Sequence, residues 1–166
     1  LEGRRFWILG LAPITIRRLV WQKFWLSVAV TSLFTVGLIL LSCIKLQIEP
    51  VAFALSIYTI VIINLALSGL AVGLGGLYPN FQEDNPARIV SGMGGTLNFL
   101  LSMAYIVLVV GAQGVVLQWR IFDRFATGAD FAAALGAVLV FITLLSLACW
   151  LVPMRLALRN LEKMEF

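Results

Sequence analysis

The chain has 166 residues, of which 61% are hydrophobic and 12% charged, and its mean hydropathy is +1.02. A soluble domain is about half apolar and a quarter charged, so this balance excludes one and describes an integral membrane protein. The formal charge of +4 is no argument for nucleic acid, because the Lys and Arg residues stand at the ends of apolar runs, where they act as topology signals.

Residues 1–23 set Arg4, Arg5, Arg17, Arg18 and Lys23 among Phe6, Trp7, Ile8, Leu9, Ile14, Ile16 and Trp21. Basic residues beside Trp and aliphatics predict an amphipathic helix lying in the membrane interface, bent at Pro13. The plainer reading is a basic anchor before a span. A signal peptide does not fit, since the apolar run that follows is too long and offers no small-residue cleavage site. Leu1 stands in place of an initiator Met, which leads us to expect a C-terminal portion of a longer chain.

The first span is predicted over residues 24–44, about 32 Å of helix against roughly 30 Å of hydrocarbon. A short loop ends at Glu49 and Pro50, and residues 51–78 form the second span. At about 42 Å this span must tilt or project beyond the hydrocarbon. Gly73, Gly75 and Gly76 lower helix propensity near its end, and Pro79 stops it. The stretch PNFQEDNPAR, residues 79–88, then makes a polar hairpin between charge-free runs. Within it Asn85 before Pro86 is a helix-start signal, and Glu83 and Asp84 suit the positive end of the new helix dipole.

The third span covers about residues 89–118. Gly111, Gln113 and Gly114 weaken its far part, and we expect a break there, with residues 114–119 lying back in the interface or re-entering. Residues 120–130 are a polar connection and residues 131–152 the fourth span. A short basic helix with Arg155, Arg159 and Lys163 fills residues 153–166. The predicted fold is all-α: a polytopic membrane protein with four transmembrane helices, an N-terminal interfacial helix and a short C-terminal helix.

Orientation follows from the cations. Nine of them (Arg4, Arg5, Arg17, Arg18, Lys23, Arg88, Arg155, Arg159, Lys163) fall on one side and three (Lys45, Arg120, Arg124) on the other. The positive-inside rule places both termini and the hairpin in the cytoplasm.

There is no histidine in the chain, and none of the four runs contains an acid or a base. Ion-coupled carriers and intramembrane hydrolases use such groups, so both classes are disfavoured. No catalytic, cofactor-binding or metal-ligating residue is expected. Cys43 and Cys149 fall in opposite leaflets, too far apart for a disulfide, and read as packing residues. The glycines of SGMGGT, residues 91–96, lack the Lys of a phosphate loop. Small residues let helices approach closely in lipid, so Gly69 and Gly73 in the second span and Gly92 and Gly95 in the third predict that these two helices pack together. Asn64 and Asn98 are amides at membrane depth, serving either as interhelical glue of about 0.6 kcal/mol or as contacts on a translocation path.

The opening Glu2–Gly3–Arg4–Arg5–Phe6–Trp7–Ile8–Leu9, with Ala12–Pro13–Ile14 and Lys23–Phe24, resembles the cytoplasmic segment before the third helix in permeases of type 2 ATP-binding cassette exporters. The hairpin LYPNFQEDNPARIVSGMGGTLN (residues 77–98) and the ending PMRLALRNLEKMEF resemble one bacterial branch of such permeases. The resemblance implies a six-helix permease unit of which these spans are the third to sixth. It also implies a coupling helix at about residues 2–10 that rests on a separate ATPase subunit, with Glu2, Gly3, Arg4, Arg5 and Pro13 as the coupling residues. Asp84, Asn85, Pro86 and Arg88 would stabilise the hairpin or touch the same partner. Expected partners are that ATPase, the rest of the permease or a second copy, and the lipid of the cell membrane. The rival reading is a membrane scaffold or assembly subunit that transports nothing, with a secondary carrier third.

Overall fold

The structure, a computed structural model, describes residues 15–78, 92–122 and 127–162. Glu2, Gly3, Arg4, Arg5 and Pro13 lie outside these residues, as do Asp84, Asn85, Pro86 and Arg88. The described residues form four helices and no strand: α1 (Ile16–Leu46), α2 (Pro50–Leu77), α3 (Met93–Ile121) and α4 (Gly128–Glu162). All four are long and apolar enough to cross a membrane, as the charge-free runs require.

Local chemistry sets the ends. At the close of α1 the amides of Gln47 and Ile48 both reach back to the Cys43 carbonyl, and Gln47 takes the left-handed conformation (φ 49°, ψ 47°). Lys45 in that last turn faces the negative end of the dipole. Three residues later Pro50 opens α2 at a position where its missing N–H costs nothing, so α1 and α2 form a tight antiparallel pair. Thr127 and Asp130 close a reciprocal cap on α4: the Thr127 amide and hydroxyl donate to Asp130 Oδ2 (3.0 and 2.8 Å), and the Asp130 amide donates back to Thr127 Oγ1 (3.2 Å).

Three expectations change. The third span was expected to break near Gly111–Gly114, but α3 is one helix from Met93 to Ile121. Inside hydrocarbon an interrupted helix leaves backbone groups without partners, a larger cost than the weak propensity of glycine. Its start also differs, for Gly92 is extended (φ −69°, ψ 174°) and the helix begins at Met93 rather than running on from Pro86. Finally, α4 does not stop at Val152: Pro153 sits inside a helix that continues to Glu162. The proline leaves the Cys149 carbonyl without its usual amide partner, while contacts with α1 and α2 hold the turns beyond it in place.

Two cores result. Near the start of α1, Val20 and Phe24 pack with Met154 and Leu161 of α4, joined by Trp21, Leu65, Val72, Trp150 and Leu158. Phe24 is fully buried, stacked on Trp150 (centroids 5.4 Å apart, planes 11° apart) and met edge-on by Trp21 and Trp25. Deeper in the bundle, Ala66 of α2 meets Tyr105 and Val109 of α3 and Ile142 of α4.

Candidate functional site

Helix α2 is the hub, and its closest partner is α4. The reason is a file of glycines at positions 69, 73 and 76, one face of a helix. A methyl group at Gly73 would come within 2.7 Å of the Pro153 carbonyl carbon and 2.9 Å of the Met154 amide nitrogen. At Gly69 it would run into Trp150, and at Gly76 it would lie 2.9 Å from Ala157 Cβ. Trp150, Pro153 and Ala157 recur on the facing side of α4, so its ridge lies in a groove made by absent side chains. Asn160 then donates through Nδ2 to the Leu77 carbonyl (3.2 Å), satisfying an acceptor at the end of α2.

This corrects the packing read from the sequence. The Gly69–Gly73 face meets α4, not α3. Against α3 the close approach is at Gly94, where an added methyl group would lie 3.1 Å from Tyr78 Cβ and 3.6 Å from the Leu74 carbonyl oxygen. Gly92 caps α3 and Gly95 is half-buried beside it. Sequence reasoning missed Gly76, Gly94, Trp150 and Asn160. The spacing of Gly69, Gly73 and Gly76 is the signal that extends the file, but nothing in it names the partner helix.

Polar side chains join α2, α3 and α4 to one another by a recurring relay. Tyr58 donates to the Thr143 hydroxyl, which donates to the Leu139 carbonyl of its own helix. Gln113 of α3 donates through Nε2 to Thr59 (2.6 Å), which donates to the Leu55 carbonyl (2.8 Å). Between α3 and α4, Tyr105 bonds Ser146 (2.7 Å), which donates to the Ile142 carbonyl (2.6 Å). A hydroxyl that bonds back to its own helix still has a lone pair to offer the next one, so each relay closes within the bundle. Gln113, expected to weaken α3, is instead one of its ties.

Asn64 is the most heavily engaged of these groups. It is buried, its Oδ1 accepts from Thr31, and its Nδ2 donates to Ser32, with the Val28 carbonyl also within 3.5 Å. One turn on, Ser27 lies 3.5 Å from Ser68. Replacing Asn64 by Leu removes this tie between α1 and α2 and frees the single Thr31 hydroxyl proton to turn to the Ser27 carbonyl, 2.7 Å away. The expected cost is about 1 kcal/mol, measurable as a lower midpoint in reversible unfolding by sodium dodecyl sulfate.

Asn98 is different. Its Oδ1, near the start of α3, is buried with no hydrogen-bond partner among the described residues. Cys43 is buried, Cys149 half-buried, and both are free thiols. Among the described residues no group of acids, cysteines or histidines could hold a metal ion.

Comparison with curated proteins and with solved structures gives no match. The profile of one protein family matches residues 1–166. With four membrane-length helices among its described residues, the chain therefore belongs to the family described as "Putative ATP-binding cassette".

Proposed function

We propose that the chain is the membrane-spanning permease portion of an ATP-driven exporter and that a separate subunit binds and hydrolyses ATP. One observation carries this reading: the family match covers the whole chain, yet the described residues are four apolar helices without the strands of an ATPase domain. A member of an ATP-binding cassette family with that architecture supplies the membrane half of the system. In this reading the termini and the hairpin are cytoplasmic, the membrane is the cell membrane, and the ATPase pushes on the segment around Glu2–Gly10. Arg4 and Arg5 pair with acids on it. Motion passes into α1 through Ile16–Lys23, which is continuous with the span.

The engagement of Asn64 and the burial of the glycine file favour packing roles for these residues, which fits a scaffold equally well. The two readings separate in the native membrane. Cross-linking and mass spectrometry of the full-length protein are expected to recover an ATPase subunit, and changing Glu2 or Arg4 is expected to weaken that association and transport together. Intact association and intact transport in those variants would remove the coupling role. A complex without any ATPase would leave the scaffold.

A further inference from the structure

We propose that the cleft between α3 and α4 binds one acyl chain of an anionic phospholipid, with the headgroup phosphate held by Arg120. The cleft has a volume of about 500 Å³, and every lining residue is apolar: Val107, Gly111, Val115 and Trp119 on α3, Val138 and Phe141 on α4, with their apolar neighbours. At Gly111 the α3 wall is bare and the space beside it open, since a methyl group added there would meet nothing within 4 Å. From Val107 to Trp119 the cleft runs about 18 Å, close to half of a hydrocarbon core of roughly 30 Å. It therefore spans one leaflet, from the bilayer centre to the headgroup level.

The charge sits where such a lipid needs it. Trp119 is the last lining residue and half-exposed, as indoles at the membrane–water boundary are. Arg120 follows it, exposed, with its guanidinium 4.6 Å above the Phe131 ring. Phe131 is seven residues before Val138, two turns up the same face of α4, so the ring carries the cation to the open end of the cleft. A planar guanidinium fixed in this way presents its donors to phosphate oxygens. An apolar slot one leaflet deep with a fixed cation at its mouth fits an anionic lipid better than a zwitterionic one.

The test is quenching of Trp119 fluorescence in vesicles of phosphatidylglycerol and phosphatidylcholine in equal amounts, with the chains of one or the other dibrominated. Subtracting the Trp119→Phe protein isolates this indole. Brominated phosphatidylglycerol should occupy the site about fivefold over phosphatidylcholine, the preference of one surface cation for an anionic lipid. Arg120→Gln should reduce the preference to unity, Arg120→Lys should keep most of it, and Gly111→Leu should lower quenching by both lipids. Equal quenching in the wild-type protein means an ordinary lipid-facing surface and overturns the proposal. So does a preference that survives Arg120→Gln. Loss of quenching by both lipids in the wild type, as when a second copy covers the cleft, overturns it as well.

Discussion

Gly73→Ala is expected to destabilise the bundle by about 2–3 kcal/mol, whereas Gly75→Ala, two residues away, leaves it unchanged or up to about 1 kcal/mol more stable. Both substitutions add one methyl group to the same stretch of α2, and both remove the propensity cost of a glycine. Only the first methyl has nowhere to go, since it meets the Pro153 carbonyl carbon at 2.7 Å and the Met154 amide at 2.9 Å, while the second meets nothing within 4 Å. The obstruction at Gly73 is backbone, which cannot rotate aside as a side-chain end could. Helix α4 must move away, and the Asn160 bond to the Leu77 carbonyl goes with it. Reversible unfolding of the purified variants in mixed micelles reads both signs. Equal effects would mean that α2 and α4 do not lie in contact along this face.

Phe24→Ala should cost about 3 kcal/mol and loosen the junction of α1 with α4. In lipid the apolar transfer part of such a loss is small, because separated helices are already in an apolar medium. What remains is packing: a ring stacked on Trp150 and flanked by Trp21 and Trp25 leaves a hole that rigid indoles cannot close. Leu33→Ala, at a residue 73% exposed on the same helix, should cost almost nothing. The measurement is the unfolding midpoint together with tryptophan emission, which shifts to the red for Phe24→Ala as water enters beside Trp150. An unshifted spectrum and midpoint would place Phe24 outside any core.

The four spans were legible because charge is so costly in hydrocarbon that a helix of about 20 residues lacking it belongs in a bilayer. Helix ends were less so. Pro153 and the Gly111–Gly114 stretch carry the marks of helix breakers, but those marks are calibrated on chains whose freed backbone groups can turn to water. Here the helix persists through both. That Gly69, Gly73 and Asn64 serve close contact or interhelical bonding could be read from residue type alone. Their partners could not, because a small residue fits against any helix and the choice rests on the shape of Trp150, Pro153 and Ala157 taken together. The relays through Thr59, Thr143 and Ser146 were invisible for a related reason: a hydroxyl in a span can be satisfied by its own helix, and the sequence does not say when it serves a second one.

The three-residue link between α1 and α2 and the eighty-residue separation of Gly73 from Pro153 impose an order on biosynthesis. Helices α1 and α2 can associate as soon as they leave the insertion machinery, since closing so short a loop costs little entropy. The glycine groove of α2 then waits for α4 until that helix has been translated. Nascent chains arrested before Trp150 should hold the early hairpin and lack its main brace, which makes them the natural clients of membrane quality control.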